Sequence, residues 1–445
     1  MLNRPPGPEF LDADYILRCL QRAGHTAQLA GGCVRDVILN RAPRDYDVAT
    51  SARPEEVERL FERTIPVGRQ FGVMLVALGE ATYEVATFRS ETGYTDGRHP
   101  DRVKFCGVRE DARRRDFTIN AMYWDPIGGQ LIDVSGGLAD LRDRVVRAVG
   151  DPEERFLEDH LRLIRAIRFA ARLDFDLAPE TRRAIEEHVE LSTEVAAERL
   201  QQELRVILTD RAPARALRLM DELGMLTHIF PELEAARGCQ QPENYHPEGD
   251  VFVHTLLTVE KLGPYPDFPV AMAALLHDVG KPPANEGRDD LRFPEHERLG
   301  QEITREVCRR LRLPSRETNR ICWLVKRHMY FKDADKMKDS TLKNLFAHPG
   351  FEQLCEIARA DALASWGCLD QLEYVLQKRE ELTEEEISPP RLIDGHDLIE
   401  LGYKPGPAFG TILETIREKQ LNDELSSRDE ALDEAKRIAE RINAD

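Results

Sequence analysis

The chain has 445 residues, 41% of them hydrophobic, enough for roughly two to four domains with sizeable cores and with no need for disorder. Its formal net charge of −19 excludes general adhesion to nucleic acid, because phosphate binding is mainly electrostatic; any RNA surface must be a confined basic patch. No apolar run approaches the roughly twenty residues of a membrane helix, and the start MLNRPPGPEF has no hydrophobic export segment, so a cytoplasmic protein without membrane contact is expected. The eight cysteines (Cys19, Cys33, Cys106, Cys239, Cys308, Cys322, Cys355, Cys368) include no Cys-x-x-Cys and fall mostly in apolar stretches, so they are expected to be reduced core thiols.

In chain order, residues 12–22 have the spacing of an amphipathic helix, and 26–30 form a short apolar run ending at Gly31-Gly32. Apolar residues then recur at helical spacing over 34–39, so the glycines predict a strand-to-helix turn. Without Cβ atoms such a turn lets a phosphate approach the backbone, and the unpaired N–H groups that open a helix carry partial positive charge. Asp45-Tyr46-Asp47 runs into Val48-Ala49-Thr50; if extended, it puts both aspartates on one face and Tyr46 on the other. Two carboxylates on one face can share a pair of Mg²⁺ ions, hold the phosphates of a nucleoside triphosphate and activate a 3′-hydroxyl for in-line attack. Taken singly, a Gly-Gly is a turn and an Asp-x-Asp a solvated edge. Their order and spacing, GG-x-VRD followed by RDYD, resemble the nucleotidyltransferase superfamily signature, specifically that of the bacterial and eukaryotic tRNA nucleotidyltransferase and poly(A) polymerase family.

A helix at 54–62 and strands at 72–78 and 82–88 continue an α/β layer. Glu84 falls inside the second of these strands, in an apolar setting where a carboxylate needs a partner. A structural ion pair and a functional role are both open on the residues; the resemblance implies the role, as the family's third metal-facing carboxylate. Residues 90–102, SETGYTDGRHPDR, read as a mobile loop, and the resemblance implies that it helps the passage from C to A addition. DARRRDFTINAM, 111–122, sets three arginines before Asp116 and an apolar helix. A charge run alone is an exposed helix start. RRDFTINAM, however, matches a family motif, which implies that Arg114, Arg115 and Asp116 contact the ribose and phosphates, with Asn120 in the same pocket and Gly31, Gly32 and Arg35 beside the triphosphate.

From 151 the pattern changes to long helices. Arg162 and Arg165 are three apart and share a helical face, with Asp159 three before Arg162. Such a set is either a surface salt bridge or a reader of base edges; the Glu-Asp-x-x-Arg motif of the family implies that Asp159 and Arg162 pair with the incoming C or A. Arg168 and Arg172 extend the basic face and are expected to hold phosphates of the RNA acceptor end.

After Pro242 come YHPEGDVFVHT, AALLHDVGK, FPEHERLG, VKRHM and RADALAS, which together resemble the HD superfamily of metal-dependent phosphohydrolases. That resemblance implies His254, His277, Asp278 and Asp361 as metal ligands, and His296 and His328 as ligands of a second ion. Imidazole with carboxylate suits a transition metal such as Mn²⁺, Ni²⁺ or Co²⁺, and the resemblance implies 2′,3′-cyclic phosphates or 2′-nucleotides as substrates. In the last piece, Gly402 and Gly406 flank a Pro-Gly turn that opens an amphipathic helix, either an interdomain turn or a cradle for an RNA phosphate. The final helix, 428–442, alternates acids and bases like a solvated helix.

The expected fold is therefore an α/β nucleotidyltransferase head with a small mixed sheet (1–150), an all-α neck with the base-reading motif (151–240), an HD domain (241–385) and a helical RNA-binding tail (386–445). The expected chemistry is template-independent CCA addition to tRNA 3′ ends from CTP and ATP. Asp45, Asp47 and Glu84 would hold two Mg²⁺ ions. An A-adding enzyme or a poly(A) polymerase shares these motifs; a chain working mainly as an HD phosphohydrolase is the alternative of another class.

Overall fold

The computed structural model describes residues 2, 4–94, 97, 100–244, 246–288, 290–403 and 406–442. The chain divides into two compact units, Met1–Pro231 and Glu232–Asp445.

The first unit opens with α1 (Pro8–Arg22), β1 (Ala27–Ala30), α2 (Gly32–Ile38), β2 (Asp47–Thr50), α3 (Pro54–Leu60), β3 (Thr64–Gly68), β4 (Val73–Leu78) and β5 (Ala81–Thr87). The hairpin β6 (Arg89–Thr92) and β7 (Arg102–Phe105), then α4 (Val108–Arg113), lead to β8 (Met122–Asp125) and β9 (Gln130–Asp133). Seven of these strands form one sheet in the order β3-β4-β5-β2-β1-β8-β9. Only β2 and β5 run parallel in it, so the sheet is mixed, as expected. Val48 pairs with Val85, so Asp47 and Glu84, each one residue earlier, stand at the same level on neighbouring strands. Phe10 of α1 anchors one face of the sheet, with ring centroids 5.8 Å from Tyr46 and 6.1 Å from Trp124.

Three local expectations change. β3 escaped notice because it is an edge strand: Ile65, Pro66 and Val67 are exposed, and Pro66 breaks the alternation that marks a buried strand. Residues 90–92 and 102, read as loop, are ladder residues, with Thr92 opposite Arg102; residues 95, 96, 98 and 99 of that segment lie outside the described residues. No apolar helix follows the arginines. α4 ends at Arg113 and the buried Phe117 and Ile119 lie on a short turn, because the Thr118 N–H donates to the Arg147 carbonyl at 2.9 Å rather than within a helix.

The unit continues with α5 (Gly137–Asp143), α6 (Pro152–Glu158), α7 (Leu161–Leu173), α8 (Pro179–His188) and α9 (Ala197–Leu208), and closes with the helices Pro213–Glu222 and Met225–Ile229. α7 buries Leu163, Ile164, Ile167, Phe169 and Leu173, the apolar stripe of its 3.6-residue period.

The described part of the second unit is helical throughout. Helix Phe268–Leu276 is apolar on every side and buried at every residue but Pro269, and Val251–Lys261, Ser315–Arg327 and Phe351–Ala364 pack around it. Gly280 permits a close crossing: a Cβ there would lie 2.0 Å from the His296 carbonyl oxygen. Arg428–Ile442 is not the solvated helix expected. Ala431, Ala435, Ile438 and Ala439 form a buried stripe against Ile412 and Ile416 of Pro407–Leu421. All eight cysteines are free; Cys33, Cys308, Cys322 and Cys355 are buried, but Cys368 is exposed and is not a core thiol. No described helix is long and apolar enough to cross a membrane.

Candidate active site and metal centre

β1 ends at Ala30 and α2 begins at Gly32, so Gly31 makes the turn with a φ of 74°, a conformation that L side chains enter at a cost. A Cβ on Gly31 would sit 3.4 Å from Nη1 of Arg115, so that guanidinium lies over the turn. Arg115 is steered there by Tyr123, whose hydroxyl accepts from Nε at 3.2 Å, and by Asp111 at 3.4 Å from Nη2. Tyr46 is buried against Phe10 of α1. Asp45 and Asp47 lie instead beside α2, where burial and then these two carboxylates push the Cys33 thiol up to about 12.

Burial, then Glu84, then Asp45 raise Asp47 to about 7, with Arg115 pulling the other way. Among the described residues, none of these three carboxylates has an ion pair or a side-chain hydrogen bond. Glu84 is exposed on β5, so the partner expected for a buried acid is not needed. Asp47 repelled by both Asp45 and Glu84, with no ion pair on any of the three among the described residues, is an oxygen donor set that fits a divalent metal of the hard, oxygen-seeking kind.

Arg35 does not reach outward. It is 3% exposed, with Nε 2.8 Å from Asp36 Oδ1 and Nη1 2.7 Å from the Asn120 amide oxygen. Asn120 in turn donates to Asp116 at 3.3 Å, and Asp116 accepts from Arg165 at 3.1 and 2.5 Å and from the Phe117 N–H at 2.7 Å. Arg114 is held by Asp111 at 2.8 Å and Glu91 at 3.4 Å. A buried polar chain thus ties α2 to the turn after α4 and to α7. Burial pushes the Asp116 carboxyl up, but Arg165 outweighs it and holds the group at about 2. Because the folded value is below the unfolded one, this pair stabilises the protein above about pH 4 and stops doing so as pH falls toward 2. Asp116→Asn is therefore expected to flatten the acid limb of urea stability between pH 5 and 2 by roughly 2 kcal/mol.

Asp159 does not share a helical face with Arg162 and Arg165. It sits in the break between α6 and α7 with extended φ/ψ, and its carboxylate takes both Nη atoms of Arg199 at 2.9 and 2.8 Å. Arg162 pairs with Glu158 at 2.7 Å and donates to the carbonyls of Arg155 and Arg114 at 2.9 and 3.2 Å. Arg168 and Arg172 are not free phosphate holders. They meet Glu203 at 2.9 Å and Asp210 at 3.4 Å, so the basic face of α7 is spent on α9 and the turn after it.

In the second unit, His254, His277, Asp278, Asp361, His296 and His328 converge. Asp278 is 1% exposed, and its oxygens lie 3.1 Å from His277 Nε2 and 3.6 Å from the Nε2 atoms of both His296 and His328. Asp361 lies 2.9 Å from His254 Nε2. The other ring nitrogens are spoken for: the Nδ1 atoms of His277, His296 and His328 face the carbonyls of Ala274, Phe293 and Val325 at 2.7, 2.9 and 2.7 Å. With Glu248 2.5 Å from His254 Nδ1, all four rings turn Nε2 inward, where His254 meets Asp361 and where His296 and His328 face each other at 3.4 Å. Lys281, 2.6 Å from Asp278 Oδ2, is the one fixed cation beside this carboxylate among the described residues, while His277 Nε2 is buried with no hydrogen bond of good geometry, and a metal ion bound between the rings would engage it.

Asp111, Arg199, Glu203, Glu248 and Lys281 complete these sites and were not singled out from the sequence. Lys281, 2.6 Å from Asp278 and three residues after it, could have been found from helical spacing; Arg199 and Glu203 lie about forty residues from their partners and carry no local signal. Gly402, with φ 90°, ends a helical turn, and Gly406 caps Pro407–Leu421.

Residues 27–147 match the Poly A polymerase head domain, 174–237 the "Probable RNA and SrmB- binding site of polymerase A", and 251–366 the HD domain. Curated relatives include the CCA-adding enzymes of Levilactobacillus brevis, 48% identical over 47% of this chain, and Bacillus subtilis, 44% identical over 50%. The chain spans about half the length of these relatives, 53% and 55% respectively. Among solved structures, the CCA-adding enzyme of Bacillus stearothermophilus in complex with CTP is 28% identical, with a TM-score of 0.73 and 99% of each chain covered.

Proposed function

We propose that this chain, which carries the head and RNA-binding domains of the poly A polymerase family followed by an HD domain, adds CMP, CMP and AMP from CTP and ATP to tRNA 3′ ends in the cytoplasm. The observation that carries this reading is the set of three unpartnered carboxylates, Asp45, Asp47 and Glu84, beside the Gly31-Gly32 turn and Arg115.

Asp45, Asp47 and Glu84 would hold two Mg²⁺ ions, which when bound neutralise the triphosphate and lower the pKa of the attacking 3′-hydroxyl. The α2 N–H groups and Arg115 receive phosphate oxygens at the turn. Arg35 acts indirectly: it props Asn120, which with Asp116 and Arg165 sets the pocket floor. Asp159 and Arg162 select C or A, and Arg199 orients Asp159. The boundaries of head, neck, HD domain and tail follow the expectation above, with Gly402 and Gly406 at an RNA-facing turn.

A second reading is carried by the inward histidines of the other unit. His254, His277, Asp278 and Asp361 would hold a transition metal such as Mn²⁺, Ni²⁺ or Co²⁺, and His296 and His328 a second one; when bound, it supplies an activated water for hydrolysis of 2′,3′-cyclic phosphates or 2′-nucleotides. Extension of tRNA transcripts ending at the discriminator base, at C and at CC separates the readings. CTP and ATP together should give products that all stop at CCA. A long adenosine ladder would make the chain a poly(A) polymerase, growth only from the CC end would make it an A-adding enzyme, and no growth beside metal-dependent phosphate release would leave the HD reading.

A further inference from the structure

A cavity of about 510 Å³ in the second unit opens between helices Ser315–Arg327, Asp339–Phe346 and Pro407–Leu421; its Arg327 belongs to the VKRHM segment and precedes His328, and Pro407–Leu421 is the amphipathic helix of the C-terminal tail. Three guanidiniums line it, those of Arg327, Arg391 and Arg417. Arg417 donates only to neutral oxygens, the Pro389 carbonyl at 2.7 Å and Gln420 at 3.0 Å. Arg327 lies over the rings of Trp323 and Tyr330, 5.0 and 5.4 Å from their centroids. Among the described residues, none of the three has a carboxylate at ion-pair distance. Of the two acids in the wall, Glu418 is engaged by Lys338 at 3.2 Å, which leaves Glu414 alone against three positive charges.

In a chain of net charge −19 this is a local excess of the opposite sign, and arginines gathered around one concavity without acid partners match the oxygens of a phosphate. Thr341 and Asn344, in the same wall, add neutral donors. We propose that this cavity binds a nucleotide phosphate, in an RNA strand or a free nucleotide, with Arg327, Arg391 and Arg417 as the donors. This inference rests on the reading of the tail as RNA-binding and names its phosphate donors, none of which is a proposed ligand of the triphosphate or of the metal.

Trp323 reports on the site, because its ring is fixed by stacking on His348, at a centroid distance of 3.7 Å, beneath Arg327. The test titrates the full-length protein with a tRNA transcript and, separately, with AMP, reading tryptophan fluorescence and the salt dependence of binding. A fluorescence change is expected that disappears in Trp323→Phe. Arg391→Ala/Arg417→Ala should weaken tRNA binding about tenfold and lower the slope of log K against log salt by roughly 1.5–2. Incorporation at saturating tRNA should be unchanged. Arg391→Glu alone, at an exposed position of the same wall, should act in the same direction. If AMP alone gives the fluorescence change and tRNA affinity is unaltered, the occupant is a free nucleotide. If neither probe changes the fluorescence and the double variant binds tRNA with wild-type affinity and slope, the proposal is wrong.

Discussion

Asp47→Asn is expected to lower CMP and AMP incorporation by about 10³-fold or more, equivalent to roughly 4 kcal/mol of transition-state stabilisation. The side chain keeps its size and loses the charge through which a divalent ion is gripped, so the loss should appear in kcat at saturating CTP and not only in KM. The same change should not harm the fold. Asp47 is raised to about 7 by burial and by Glu84 and Asp45, so in the absence of metal its ionised form destabilises the protein, increasingly as pH rises from about 4 through 7. The amide removes that penalty, and the variant should melt no lower than the parent at pH 8 in EDTA. Loss of activity with retained or increased stability is the signature of a functional carboxylate, whereas loss of both would mark a structural one. Phosphate release by the HD region should be untouched.

The second large effect is the reverse case. Asp278→Asn is expected to abolish stoichiometric retention of Mn²⁺ or Ni²⁺ by the second unit, measured by elemental analysis and titration calorimetry, while tRNA extension proceeds at the wild-type rate. Asp278 is the hub of that site, within 3.6 Å of the Nε2 atoms of His277, His296 and His328 and 2.6 Å from Lys281. Removing a direct ligand should cost at least the roughly 10- to 100-fold in affinity typical of an outer-shell partner. Asparagine is the informative substitution, since Asp278→Ala leaves Lys281 buried with only Gln241, 2.6 Å away, and a stranded buried charge costs about 3–5 kcal/mol. Metal retained at one equivalent in Asp278→Asn would mean that the six converging side chains are not a metal centre.

The parts of this protein that were legible in its sequence are those whose physics is local. The Gly31-Gly32 turn is visible because a positive φ beside a helix start demands glycine, and the strand period puts Asp45 and Asp47 beside α2 with Tyr46 on the other side. Strands of the head could be read from short apolar runs, and the family resemblance implied the mixed sheet, but β3 could not be read, since an exposed edge strand has no apolar face to show. What was lost is tertiary. Asp159 and Arg162 are three apart, yet the α6–α7 break sends the acid to Arg199, about forty residues on and without local signal, and leaves the base to Glu158, its i−4 neighbour. Arg168 and Arg172 looked like an exposed basic stripe because Glu203 and Asp210, which neutralise them, come more than thirty residues later. The final helix shows the same limit, since alanines at 431, 435 and 439 bury a face that mixed charges disguise.

The central claim is that Asp45, Asp47 and Glu84 grip divalent ions against a triphosphate seated on the Gly31-Gly32 turn. The most direct measurement is diffraction from crystals of the protein soaked with Mn²⁺ and a non-hydrolysable CTP, read by the anomalous signal of manganese. The account predicts anomalous peaks between the three carboxylates, with phosphate density over the first turn of α2 within reach of Arg115. Nucleotide phosphates bound elsewhere, or manganese absent from the three acids while CTP is present, would contradict it.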